Sequence, residues 1–527
     1  MLMPADPREW LPPGHLAWKV LDLAGEMDLA AFGASYRADG QGGRPYHPVM
    51  MATLLLYCYC RGRRSSREIE MATFDDVGAR VICGGLHPDH STVAEFVRQN
   101  AGAVVALLPE SVRACAAEGL VPVEVVAGDG TKLKANASMA AGLTREQLDA
   151  QISELEAWIE EEFRGWVQDM LDAERTAGPA DAAAGPGDRG GPGDASGGGS
   201  RKWKTRPARA GQMLERRLAA RARLDGRQDK DQGKLDARIA ELAARVVRKE
   251  AAVASREKAA SDRLEARARK IAAGQKIPGT RPITSIDQDY QVKHARQALD
   301  KARAAWQAAC RQAPAPASGP GARVSPADPS SQVMPLKKGG FDQLHNVQAL
   351  ATARTQVILA ITRHPSPVDV QALETLLAEA RRVLRQAGIT SPIRTALFDA
   401  GYASDANFTA DIPEQLYIAV TREARQTGRS RDGRAPATML PSWQAMTTRL
   451  GTPEGRALYR QRAATIEPVF AQLTARLGRA LHYRGDLVDA ELALWAASHN
   501  TLKAIKTRTA RLARQAPTTT PAPAPAA

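Results

Sequence analysis

Three acidic side chains are placed where they could work together. Asp129 follows a β-branched run (Val121, Val123, Val125, Val126) and is flanked by Gly128 and Gly130. Asp399 closes a second apolar run, in ALFDAGY, and Glu467 stands in IEPVF at the head of apolar residues with helical spacing. Carboxylates brought from separate elements to one place could hold two hard cations about 3.5–4 Å apart across a phosphate, which is the arrangement used for in-line phosphoryl transfer. Without cations, charges 4 Å apart would repel by roughly 4 kcal/mol per pair at an effective dielectric near 20, so convergence would imply metal. Each residue alone is a weak signal, because an Asp beside Gly is also a common turn former. Asp405 and Glu454 are rivals in poorer settings, since neither closes a strand nor opens a long helix.

The positioning elements can be read from periodicity. The valine-rich run suits a strand, with Asp129 expected at its exit in a glycine-flanked turn. Downstream, His345 to Thr352 and Gln356 to Thr362 read as two strands joined by a short turn. Pro367 to Ala387 reads as a helix, Ile393 to Phe398 as a strand, Tyr402 to Ala410 as a short helix and Leu416 to Val420 as a strand. A long helix built on Ile466, Val469, Phe470, Leu473 and Leu477 follows the polar stretch Thr421 to Ala437. Pro468 is tolerable if Thr465 caps this helix, because a proline in the first turn loses no needed hydrogen bond. The order β, β, β, α, β, α, β, α is that of an α/β ribonuclease-H-like core, a mixed sheet flanked by helices.

Five regions are expected. Residues 1–118 read as an all-α domain. In it a helix from Pro48 to Cys60, the basic turn Arg61 to Ser65 and a second helix fit DNA docking about as well as an ordinary bundle. Thr92 and Glu95 have capping-box spacing for another helix. Residues 119–138 hold the first core strand. Residues 139–327 read as a long helical insertion between the first and second core strands, in which two arms could pair as an antiparallel coiled coil. Its Gly/Pro-rich linkers, 177–200 and 312–329, and the break at Pro278 to Pro282 carry no helical pattern. Residues 328–510 complete the core, and 511–527 are expected to be a disordered tail.

The formal net charge of +14 over 527 residues points to a polyanionic partner. Arg61, Arg63, Arg64 and Arg67 form the densest early basic cluster and could contact a DNA backbone or simply line a solvated face. Lys132 and Lys134, just past Asp129, could reach a phosphate or water. Asn346 and Gln348 alternate along the second strand, so one of them could face the acidic site. His87 and His90 in a proline turn read as helix capping rather than metal binding. Five cysteines with no C-x-x-C pair indicate neither a disulfide framework nor a zinc site. No stretch approaches the roughly 18 apolar residues of a membrane span, and MLMPADPREWLPPG is no signal peptide. The expected location is the cytoplasm, at the nucleoid.

Five separated blocks, GDGTKLKANAS, KKGGFDQLHNVQALAT, ALFDAGYAS, YRQRAATIEPVFAQL and LHYRGDLVDAELALWAASHNTLKAI, resemble the DDE-type transposases of bacterial insertion sequences. PVMMATLLLYCYCRGRRSSREIE and GGLHPDHSTVAEFVRQN are similar to the helical domain ahead of their catalytic core. The resemblance implies an enzyme that binds terminal inverted repeats, hydrolyses the element's ends and joins the 3′-hydroxyls to target DNA. It implies two Mg²⁺ or Mn²⁺ ions held by Asp129, Asp399 and Glu467, and a homodimer or higher oligomer on double-stranded DNA. Tyr459 and Arg462 resemble the tyrosine and arginine that precede the family glutamate and hold DNA phosphates. Four residues separate Arg462 from Glu467 where three are usual, and Thr474 replaces the expected basic residue. The alternatives are a nuclease of the same fold without strand transfer, or an inactive DNA-binding remnant.

Overall fold

The computed structural model describes residues 6–34, 45–176, 200–274, 285–311, 323–336, 339–420 and 441–515. The linkers, the break at Pro278 to Pro282, the stretch Thr421 to Ala437 and the tail beyond Gln515 lie wholly or largely outside them. The chain forms two compact units, Met1–Met139 with Ser330–Ala527, and Ala140–Pro329.

The first unit is built on a six-stranded mixed sheet: β1 (Val125–Lys134), β2 (Gln332–Pro335), β3 (Phe341–Thr352), β4 (Ile358–His364), β5 (Thr395–Phe398) and β6 (Gln415–Ile418), in the order β2-β3-β1-β5-β6 with β4 also on β3. β3 runs antiparallel to β1 and β4, whereas β5 lies parallel to β1 and β6. Val121 and Val123 precede β1 rather than belonging to it. β2 was not expected, since four residues with one proline carry almost no period-2 signal.

Ahead of the sheet come α1 (Leu16–Glu26), α2 (Pro48–Cys60), α3 (Ser66–Asp75), α4 (Val77–Ile82), α5 (His90–Gln99) and α6 (Ala101–Ala117). Residues 1–118 are not a compact unit of their own. α2 is buried almost all round, and its Leu54, Leu55 and Leu56 belong to one continuous core with Leu350 of β3 and Trp495 near the C-terminus. The expected capping box at Thr92 is replaced by Asp89, whose carboxylate accepts the Ser91 and Thr92 N–H groups, so α5 starts one residue after Asp89. The capping box falls instead at Ser65 and Glu68, at the start of α3.

The second unit holds α7 (Arg145–Thr176), the 73-residue α8 (Ser200–Ala272) and α9 (Tyr290–Arg311). Leu148 of α7 packs with Ala220 and Leu224 of α8 and with Val324. Arg145 and Arg221 pair with Asp225 and Asp149 across the same two helices. Further along α8, Arg263, Glu257 and Glu250 pair with Asp289, Arg296 and Arg303 at 2.6–2.7 Å. Among the described residues no helix is long and apolar enough to cross a membrane.

After β4 come α10 (Leu373–Gln386), which buries Leu376, Leu377, Val383 and Leu384, the single turn α11 (Asp405–Phe408), α12 (Pro441–Gly451), α13 (Pro453–Leu477) and α14 (Leu487–Gln515). α14 carries Arg511 to Gln515, which were expected to be disordered, one helical turn further. Asn500 on α14 brackets the backbone of Ile358 in β4: its Oδ1 accepts the Ile358 N–H at 2.9 Å and its Nδ2 donates to the Ile358 carbonyl at 2.9 Å. These two bonds lie beside the irregularity at Leu350 and Ala351, where the β3–β4 register shifts.

Candidate active site

Asp129 sits inside a strand and not at its exit. It faces Ala349 of β3, and β1 continues to Lys134. The flanking glycines serve close approach rather than a turn. A Cβ on Gly128 would lie 2.3 Å from the Phe398 ring, and one on Gly130 would lie 2.6 Å from the Gln348 amide and 2.9 Å from Asp369 Oδ1. Asp399 follows β5, whose last register pair with β1 is Leu397 with Ala127. Two positions past that pair, the two strands present Asp129 and Asp399 side by side. Asp399 caps a short 3-10 turn, Ala400–Tyr402, by accepting the Gly401 N–H at 2.9 Å.

The electrostatics follow from this adjacency. Burial, and then the charge of Asp399, hold the Asp129 carboxyl above the usual carboxylate range, while Arg462 acts in the opposite direction. Arg462 Nη1 donates to Asp129 Oδ2 at 3.1 Å, and its Nη2 lies 3.6 Å from Glu467 Oε1. Tyr459, one turn before Arg462, donates its hydroxyl to the Phe398 carbonyl at 3.1 Å, immediately before Asp399.

The setting of Glu467 requires a correction. It does not open a helix: α13 begins at Pro453, capped by the Thr452 hydroxyl on the Gly455 N–H, and Pro468 lies in mid-helix. Thr465 is fully buried and caps nothing; its hydroxyl donates to the Gln461 and Ala353 carbonyls. The Glu467 side chain is 61% exposed and joins the site through Arg462, and among the described residues no three His, Cys, Asp or Glu side chains lie close enough to hold a metal ion. The rivals stay outside: Asp405 accepts the Ser442 hydroxyl, and Glu454 lies in the first turn of α13.

One carboxylate was missed. Asp369, in the connection between β4 and α10, accepts the Asn346 amide at 2.9 Å and the Gln348 amide at 2.7 Å through Oδ1. Its Oδ2 and Asp399 Oδ1 lie 3.2 and 3.0 Å from the point a Cβ on Gly401 would occupy, so both carboxylates border the same small space. Asn346 and Gln348 thus point from one face of β3 toward the acidic site and hold Asp369 there. Gln348 in turn accepts the buried Tyr402 hydroxyl, which burial and the charges of Asp369, Asp129 and Asp399 keep protonated. Only the alternation of Asn346 and Gln348 hinted at this, and nothing local marked Asp369.

The basic candidates separate. Lys132 donates to the Pro367 carbonyl at 2.9 Å, tying β1 to the connection after β4, and Lys134 pairs with Asp342 at 2.7 Å, tying β1 to β3 within the sheet. Arg63 pairs with Asp75 at 2.7 Å, and Arg61 is half-exposed, 3.6 Å from Asp76. Arg64 has an internal role: its side chain is 12% exposed, donates to the Ala480 carbonyl at 2.6 Å, approaches buried Glu491 at 3.7 Å and lies over the Trp495 ring. Arg67 is exposed. His87 and His90 bond Thr73 and Glu70, consistent with a structural turn.

A mixed sheet of this order with neighbouring carboxylates on β1 and after β5 defines the ribonuclease-H-like class. A family model described as transposase DDE domain matches residues 329–501, which include Asp399 and Glu467, and one described as transposase domain (DUF772) matches residues 5–99. Comparison with curated proteins and with solved structures finds no match. The chain belongs to the DDE transposases of insertion sequences, enzymes of DNA transposition that act on DNA and generally use divalent metal ions.

Proposed function

We propose that this transposase binds the terminal inverted repeats of its element and catalyses metal-dependent cleavage and strand transfer, with Asp129, Asp399 and Glu467 as the metal-holding groups. The observation that carries this reading is the nearness of Asp129 to Asp399, two positions past the last β1–β5 register pair, with one guanidinium linking Asp129 to Glu467. The donor set suits hard cations: it is all carboxylate oxygen, and burial, then the charge of Asp399, holds Asp129 above its ordinary range. Two Mg²⁺ or Mn²⁺ ions held there would activate water or a 3′-hydroxyl and stabilise the leaving oxygen.

The chain's own residues do the rest. Arg462 offsets the charge of Asp129 and keeps Glu467 within one side chain of it. Tyr459 fixes α13 against the end of β5, and Asn346 and Gln348 hold Asp369 at the border of the site. Arg61, Arg63 and Arg67 serve the DNA backbone beside α3, with Lys132 and Lys134 near the acidic edge. Two element ends require two active sites, so the working form is a homodimer or larger, and the helices of Ala140–Pro329 serve as a coiled coil in that assembly. The deciding experiment supplies element-end DNA with 3′-hydroxyls already exposed, a target duplex and Mg²⁺. Joined products with wild type and none with Asp399→Asn support the proposal. Cleavage of intact ends without joining would reduce it to a nuclease, and equal products from both proteins would remove Asp399 from the site.

A further inference from the structure

Pro468 creates a vacancy inside α13. Lacking an N–H, it leaves the carbonyl of Ala464, four residues earlier, without its helical partner. That carbonyl is taken by another part of the chain: Gln356 Nε2 donates to Ala464 O at 3.1 Å. Gln356 lies in the turn between β3 and β4 with φ 58°, the one non-glycine at positive φ among the described residues. Glutamine has no preference for that conformation, so the surroundings must impose it.

They do so from several directions. The Gln356 N–H donates to the Thr352 carbonyl at 2.9 Å, and the Val357 carbonyl accepts the Thr352 N–H at 3.0 Å. The Gln356 carbonyl accepts His499 Nε2 at 2.9 Å, and burial pushes the His499 pKa down to about 3, so the neutral ring donates this bond. Thr465 adds a second link between helix and turn through the Ala353 carbonyl at 2.9 Å. The strained residue therefore presents its amide to the carbonyl that Pro468 leaves open. That carbonyl lies between Arg462 and Glu467, the two side chains of α13 that reach the acidic site.

We propose that Gln356 is a positioning residue for the transposase reaction: its amide replaces the hydrogen bond missing at Pro468 and so sets the course of α13 between Arg462 and Glu467. The inference rests on those two residues serving the active site as proposed above. It makes a pairwise prediction that a general packing role does not. In Pro468→Ala the new N–H can close on Ala464, and the Gln356 amide becomes redundant.

The test is a double-mutant cycle of Gln356→Ala and Pro468→Ala in the full-length protein, with Gln356→Gly alongside. In metal-free protein, amide hydrogen exchange across 462–473 is expected to speed up at least several-fold in Gln356→Ala and to stay at the Pro468→Ala rate in the double variant. With element-end DNA, Gln356→Ala is expected to raise the Mg²⁺ concentration for half-maximal cleavage about 10-fold, the scale of a lost supporting contact at a metal site, and to have no such effect in the Pro468→Ala background. Gln356→Gly removes both strain and amide, so its melting temperature should equal or exceed that of wild type while its Mg²⁺ requirement rises as in Gln356→Ala. Equal exchange effects in both backgrounds, or an unchanged Mg²⁺ requirement in Gln356→Gly, would overturn the inference. Failure in the metal-free exchange arm leaves the proposed function standing. A normal exchange cycle with no change in Mg²⁺ requirement counts against Glu467 as a site residue as well.

Discussion

Arg462 Nη1 stands 3.1 Å from Asp129 Oδ2, across 333 positions of chain, and the same guanidinium reaches Glu467 at 3.6 Å. One cation thus stands between the acid of the first strand and the acid of the long helix. Arg462→Gln should remove that link and lower end cleavage by about 10–100-fold, as expected for loss of a group supporting a metal site. Because Arg462 opposes the upward shift of Asp129, the acid limb of the pH–rate profile should also move to higher pH in the variant. A pH profile identical to wild type would show that Arg462 does not act on Asp129.

Asp129 itself should trade stability for function. Its carboxyl is held above the unfolded value of 3.8, first by burial and then by Asp399, so the folded protein binds this proton more tightly than the unfolded chain does. The group therefore opposes folding increasingly as pH rises from about 4 through its folded pKa. Asp129→Asn should melt no lower than wild type in metal-free buffer at pH 7, and cleavage should fall by about 10²–10³-fold or more. A clear drop in melting temperature at pH 7 would contradict this assignment.

The basic cluster at the turn into α3 should divide under mutation. Arg64 is enclosed by the Ala480 carbonyl, Glu491 and Trp495, so Arg64→Ala should destabilise the protein by about 2–4 kcal/mol. Arg67, exposed on the surface, should behave oppositely. Arg67→Gln should leave the denaturation midpoint unchanged and reduce the salt slope of DNA binding by about 1. Paired denaturation and salt-titrated binding measurements distinguish the two roles.

Glu491 supplies a pH signature for the same corner. Burial raises its pKa to about 7 from 4.5, although the N–H groups of His482 and Tyr483 point at it. The folded form holds the proton more tightly, so this group's contribution to stability falls as pH rises from about 4.5 through about 7. Glu491→Gln keeps an acceptor for both N–H groups and should flatten that slope in urea denaturation series. An unchanged slope would place the titration elsewhere.

Much of this site could be read in the sequence, and the parts that could not share one physical cause. Asp399 was legible because a short apolar run ending in Asp is a local pattern. Asp129 was placed at a turn because glycines beside Asp usually mean one, whereas the contacts that require them, the Phe398 ring and the Gln348 amide, come from other strands. Pro468 suggested a helix start because its missing bond is compensated by Gln356, 108 positions from Ala464. Arg64 looked like part of a surface patch until Glu491 and Trp495 were folded against it. Asp369 lies in a connection without periodicity, and only its two amide donors on β3 mark it. Local spacing reveals elements, but it does not show which distant group arrives beside them.

The most direct measurement concerns Glu467, the acid that the fold leaves most exposed and joins to the others only through Arg462. Glu467→Cys replaces a hard oxygen ligand with a softer sulfur, which Mg²⁺ binds poorly and Mn²⁺ accepts more readily. Cleavage of element-end DNA by this variant should be lost in Mg²⁺ and partly restored in Mn²⁺, while Glu467→Ala stays inactive in both. Full activity of Glu467→Cys in Mg²⁺, or an equal loss of activity in the two metals, would mean that Glu467 is not a ligand and that the three-carboxylate site is wrong.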